Sequence, residues 1–145
     1  MPILRIIHLR NYNSHKRRFQ KTVFTNSSGD GGISVVDILC IGEVRSCEHI
    51  HKYYTDTAGS PIIYWQIEFN DLIQHCTPTL ISIQQATSHT GDECHYNIQG
   101  VSDKNAEKFF RVHCAPPNIF YCCNGDGIPL TNEQYENIYE FECPN

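Results

Sequence analysis

Ile62-Ile-Tyr-Trp-Gln-Ile-Glu-Phe-Asn70 is the stretch on which the fold turns. Ile63, Trp65, Ile67 and Phe69 alternate with Tyr64, Gln66, Glu68 and Asn70, the two-residue period of a strand with one buried face. A helix beginning at Ser60-Pro61 fits some of the same residues. Ile62, Trp65, Phe69, Leu72, Ile73 and Cys76 fall at helical spacing, with Ser60 as N-cap and Pro61 in the first position. The polar face of the alternation favours the strand.

Outward from there the chain reads mainly as strands. Ile33–Cys40 is apolar and β-branched, a buried strand, and strands are also expected at Thr79–Gln85, Cys94–Val101, Phe110–Cys114 and Ile119–Cys123. Ser88–Glu93 and Asn124-Gly125-Asp126-Gly127 are turn sequences. Ser102–Lys108 has room for one or two helical turns. Thr131-Asn-Glu-Gln134 has capping-box form ahead of a short helix at Asn132–Tyr139, although Tyr139, Phe141 and Cys143 also keep a strand period. The expected fold is mainly β or α+β: an antiparallel sheet or small sandwich with one or two short helices, stapled by disulfides.

The staples are inferred from Cys40, Cys47, Cys76, Cys94, Cys114, Cys122, Cys123 and Cys143. An even count allows a complete framework of four bridges, in any of about a hundred pairings. Adjacent Cys122 and Cys123 should leave opposite sides of their strand and reach two different neighbours. The rival reading is zinc in an intracellular protein, with His49, His51, His75, His95 and His113 among the cysteines. Zinc sites usually show paired C-x₂₋₄-C spacing, and none is present. Disulfides place the protein in an oxidising compartment, secreted and extracellular, or delivered from there into a host cell.

Charge divides the chain at a second level. Residues 1–30 carry six bases and a single acid, Asp30, whereas residues 31–145 carry five bases and fifteen acids. All eight cysteines lie beyond the basic part. Asn26–Gly32 reads as a linker and contains the N-glycosylation triplet Asn26-Ser27-Ser28. The expected organisation is a basic flexible arm or pro-segment over residues 1–32 and a disulfide-rich β domain over 33–145. Ile3–Leu9 is too short, and too interrupted by Arg5 and His8, to read as a signal peptide. Lys16-Arg17-Arg18 reads as a solvated charge run, a dibasic processing site or a contact for acidic surfaces or nucleic acid. No apolar run reaches the ~18 residues of a membrane-spanning helix.

Few residues point to chemistry. No phosphate-binding glycine loop, H-E-x-x-H or G-x-S-x-G motif is present, and no metal or cofactor is implied. His49-Ile-His51-Lys52-Tyr53, Glu68 and Ser88-His89-Thr90-Gly91 offer two histidines and a carboxylate for proton transfer. In chain order they resemble the fungal guanyl-specific ribonucleases, whose pattern is a His-Lys-Tyr segment, a glutamate on an aromatic strand, a strand arginine and a late His-Thr-Gly. The resemblance implies His51 as first histidine, Glu68 as base and His89 as acid. No arginine lies between Arg45 and Arg111, so the family's phosphate-stabilising arginine has no counterpart.

The body as a whole, with its eight cysteines, Tyr64-Trp65 on a strand and the Cys143-Pro-Asn ending, resembles small cysteine-rich effectors of filamentous plant pathogens. That resemblance implies a secreted avirulence-type protein that acts by binding a host protein, with no catalytic residues. Tyrosine is enriched in binding hot spots, which makes Tyr53, Tyr54 and Tyr64 candidate contacts, with Tyr135 and Tyr139 behind them. The acidic body argues against nucleic acid except at the basic arm.

Overall fold

Each reading of the opening stretch holds over part of it, and the helix expected to begin at Ser60-Pro61 begins instead at Phe69. In the computed structural model, which describes residues 1–25, 32–42, 45–54 and 60–144, the alternation makes strand β5 (Ile63–Glu68). The helical spacing takes over at helix α3 (Phe69–Cys76), where Phe69, Leu72 and Cys76 face inward. The alternation therefore ends at Glu68, two residues before the polar face of the sequence pattern does.

The largest correction concerns the N-terminal segment. Residues 1–25 are no appendage. Pro2–Ile7 forms β1, an inner strand paired with β5 along its whole length, from Pro2 opposite Glu68 to Ile7 opposite Ile63. The apolar run that fails as a signal peptide succeeds as a strand because Ile3, Leu4 and Ile7 are buried on both sides of the sheet. β2 (Tyr12–Asn13) and β3 (Arg18–Phe19) form a small second sheet. This hairpin is bonded to the C-terminal segment: the Tyr12 hydroxyl donates to the Tyr135 carbonyl at 2.8 Å, and the Phe19 N–H donates to the Tyr135 hydroxyl at 3.1 Å. The glycosylation triplet and all of the linker except Gly32 fall on residues 26–31, outside the described residues.

The main sheet is antiparallel throughout and runs β6 (Ser82–Gln85), β7 (His95–Gln99), β4 (Ile33–Asp37), β1, β5, β8 (Ile119–Cys123), β9 (Asp126–Pro129). β8 and β9 turn through Asn124-Gly125, both at positive φ (52° and 86°), as a two-residue hairpin requires. Ile33–Cys40 is a strand only as far as Asp37. The Asp37 carboxylate then accepts from the Leu39 N–H and starts α1 (Ile38–Ile41). Ser46–Tyr54, where no element was expected, is α2. Ser102 caps α4 (Asp103–His113), an eleven-residue helix that absorbs most of the strand expected at Phe110–Cys114. Ala106, Phe109 and Phe110 set its buried stripe at three- and four-residue spacing. The capping box at Thr131 and Gln134 is formed and opens α5 (Asn132–Glu136). A 3₁₀ turn at Ile138–Glu140 follows, so the C-terminal strand alternative does not form.

Side chains alternate between two cores. Ile3, Ile7, Val35, Ile63, Trp65 and Ile67 belong to the larger one, with α3, α4, Phe19 and Phe24. Leu4, Val36 and Tyr64 belong to the smaller one, with Ile41 of α1 and Cys47 and Ile50 of α2. Three bridges join Cys40 to Cys94, Cys47 to Cys122 and Cys123 to Cys143. Adjacent Cys122 and Cys123 do reach different partners. The expected fourth bridge is absent: Cys76 and Cys114 are reduced and lie in the larger core, where a thiol packs as a small apolar group. No helix among the described residues is long and apolar enough to cross a membrane.

Candidate functional site

The basic segment that sequence reading set aside supplies most of the functional surface. One cavity, of about 320 Å³, opens between the β2–β3 hairpin and α4. Lys16 and Arg18 come from the hairpin, Lys21 from the turn after it, and Arg111 from the exposed side of α4. Its apolar wall is Phe19, Phe110 and Tyr135, held by the edge-on packing of Tyr12 against Phe19 (5.3 Å) and Tyr135 (5.7 Å). Cys114 also lines it, and burial pushes that thiol well above its ordinary range, so it is protonated and unreactive at neutral pH. No Asp or Glu is among the described lining residues. One lining cation is partly compensated, since Lys21 Nζ lies 3.5 Å from Glu107.

A second cavity, of about 510 Å³, lies along β1 and β4 and is bounded by Tyr54, His89 and His95. Thr22 lines both cavities, so they adjoin. Behind Tyr54 is a buried polar network centred on Asp92. Asp92 is fully buried and accepts a short hydrogen bond from the Tyr54 hydroxyl and another from the Cys94 N–H at 2.8 Å. His49 Nε2 lies 3.0 Å from the same carboxylate, an electrostatic contact outside hydrogen-bond alignment. Burial alone would raise the Asp92 pKa; the bond from Tyr54, His49 and the Cys94 N–H together outweigh it and hold Asp92 below its ordinary value. Tyr54 moves the other way, raised by its own burial and by Asp92. His49, Asp92 and Cys94 place ligand-type atoms within 4.8 Å of one another, but the Cys94 sulfur is committed to Cys40 and offers no thiolate to a metal.

The candidates read from sequence separate on this surface. Tyr54 borders the second cavity. Tyr53 packs its ring against His49 at 4.9 Å, with Lys52 Nζ 5.1 Å from its centroid. Tyr64 is 6 % exposed and stacks on Phe120 at 4.9 Å, so it is a core residue and offers no contact surface. Tyr135 is likewise buried, whereas Tyr139 is exposed. His89 is exposed on the rim of the second cavity, but His51 and Glu68 line neither. Glu68 pairs with the amino group of Met1 at 2.5 Å. It stands on β5, three strand spacings from β7, or about 14 Å.

The residues missed at sequence level are Arg5, His8, Arg10 and Arg111. The signal for the first three was the charge excess of residues 1–30, which located the charge without locating the cavity. Comparison with known protein families, with curated proteins and with solved structures finds no match for this chain.

Proposed function

We propose that this chain is an extracellular, disulfide-stabilised binding protein whose partner is a protein segment carrying acidic and apolar side chains. The observation that carries the reading is the 320 Å³ cavity, with four cations around an aromatic wall and no carboxylate among its described lining residues. A protein of net charge −5 that gathers Lys16, Arg18, Lys21 and Arg111 around one cavity presents a local field opposite to its overall charge. Such a patch steers an acidic partner toward it and rejects basic ones. Phe19, Phe110 and Tyr135 form a nearly buried apolar floor beneath the cations, so most of the accessible contact falls to Lys16, Arg18, Lys21 and Arg111, arginine being among the side chains enriched in hot spots. The three bridges are compatible with secretion. The resemblance in size and cysteine content to effectors of filamentous plant pathogens makes a host protein the expected partner.

The test is fluorescence anisotropy with a labelled peptide rich in Glu and Asp that also carries Phe and Leu. Saturable binding that weakens at least tenfold in a Lys16→Glu/Arg18→Glu variant, and falls with salt, is the expected result. Equal affinity for a neutral peptide, or indifference to the two charge reversals, overturns it. A parallel RNA cleavage assay addresses the enzymatic reading: robust cleavage lost in both His89→Ala and Glu68→Ala would replace a binding protein with a ribonuclease.

A further inference from the structure

We infer that the cleft along β1 and β4 is a binding site for a phosphate ester, separate from the peptide groove. β1 and β4 pair only at Ile3 with Asp37 and Leu4 with Val36, although both strands continue, as Arg5–Ile7 and Ile33–Val35. Where the ladder stops, the Arg5 side chain enters. Its Nη1 donates to the Ser34 carbonyl at 2.7 Å and its Nη2 to the Val23 carbonyl at 2.9 Å. Both acceptors are neutral. Among the described residues no carboxylate pairs with this guanidinium, and its Nε is buried with no hydrogen-bond partner. Burial pulls the Arg5 pKa down to about 10, so the group is still charged at neutral pH. Buried charges are ordinarily paired, because desolvation without a counter-charge is costly.

Arg5 lines the 510 Å³ cleft, and among its described lining residues every other ionisable group except Tyr54 is a base: Arg10, His8, His89 and His95. His95 Nδ1 lies 2.6 Å from the Ala86 carbonyl. A carbonyl only accepts, so Nδ1 carries the hydrogen; Nε2 then accepts in the neutral ring and donates to a phosphate oxygen in the imidazolium. The nearby Asp92 is committed to Tyr54 and the Cys94 N–H. The basic groups are spread along β1, whose stretch from Leu4 to His8 covers about 13 Å, more than a single oxyanion fills. Arginine forks match phosphate oxygens. The Tyr54 ring and the apolar side chains of Leu4, Ile6 and Val36 suit the organic part of an ester.

Isothermal titration of the full chain at constant ionic strength, with inorganic phosphate and a nucleoside 5′-monophosphate as probes, tests the site. Both should saturate, with the monophosphate at least tenfold tighter. Arg10→Ala/His89→Ala replaces two exposed side chains and leaves the fold intact; it should weaken both probes tenfold or more. Arg5→Met should abolish binding, whereas Lys104→Ala and the groove variant Lys16→Glu/Arg18→Glu should stay within twofold of wild type. Failure of both probes to saturate overturns the proposal, as does unchanged affinity in Arg10→Ala/His89→Ala. A monophosphate that binds no tighter than inorganic phosphate overturns the ester assignment.

Discussion

The two faces of the main sheet are held by different means. On one face, twenty-two buried side chains, among them Trp65, Phe24, Phe109 and Phe110, form a core that contains both reduced cysteines, with one short-range bridge, Cys123–Cys143, on its side of β8. On the other, seven buried side chains lie under α1 and α2, of four and nine residues. Helices that short do not persist alone. That is the face with two of the three bridges, Cys40–Cys94 and Cys47–Cys122, which close separations of 54 and 75 residues. By the loop-entropy relation each is worth about 4 kcal/mol, before any native strain is subtracted. Covalent bonds are found where apolar area is scarce. Arg45 adds a polar tie at the same place, reaching from the start of α2 to Asp126 of the β8–β9 hairpin at 2.5 Å.

The contrast is broken most directly at Trp65. It is fully buried, with Phe24 at 4.9 Å and Phe110 at 5.1 Å, and its Nε1 donates to the His113 carbonyl at 3.2 Å. Trp65→Ala should cost about 3–5 kcal/mol and lower protection of all slow amides together, read by denaturant unfolding and hydrogen exchange. Removing the Cys47–Cys122 bridge, as Cys47→Ala/Cys122→Ala, should cost about 2–4 kcal/mol in a different pattern. The amides of α2 should lose protection first, while those of α4 keep theirs. Equal loss on α2 and α4 would show that the two faces unfold as one, and the division of labour would fail.

A third prediction concerns pH on the stapled face. Asp92 holds the loop before β7 to α2 through Tyr54 and His49, and its pKa in the folded protein lies below the ordinary value. A carboxylate so shifted stabilises the fold above its unfolded pKa, near 4, and the contribution is lost as pH falls through the folded value. Asp92→Asn should therefore cost about 1–3 kcal/mol at pH 7. The gap to wild type should start to narrow near pH ~4 and close only as pH falls through the lowered folded pKa, where the native side chain also becomes neutral. A gap that stays constant down to pH 2 would mean that charge on Asp92 is irrelevant.

What was legible in the sequence was local. The Asn124-Gly125 turn and the Thr131–Gln134 capping box are set by neighbours within four residues, and both formed. The strand period alone sufficed to send Cys122 and Cys123 to different partners. β1 was misread because Arg5 interrupts its apolar run, and only a tertiary gap between strands gives a half-buried arginine a place. α2 was missed because Ser46–Tyr54 is mostly polar, and what holds it is Cys47 and the staple to Cys122. The basic cavities were half visible. Residues 1–30 announced the charge, but Arg111 on α4 and His89 and His95 on another loop and strand join it only through the fold.

The smallest effect is expected at the two reduced cysteines, and it sharpens the contrast most finely. Cys76 ends α3 and Cys114 caps α4, both buried and both with thiol pKa raised by burial. If the larger core holds mainly by packing, Cys76→Ala and Cys114→Ala should each cost about 1 kcal/mol, the loss of one small apolar group, and leave α2 protection unchanged. The native protein should gain six daltons on reduction, and its two thiols should alkylate only after unfolding. A gain of eight daltons would place a fourth bridge in the larger core, and both faces would then be stapled alike.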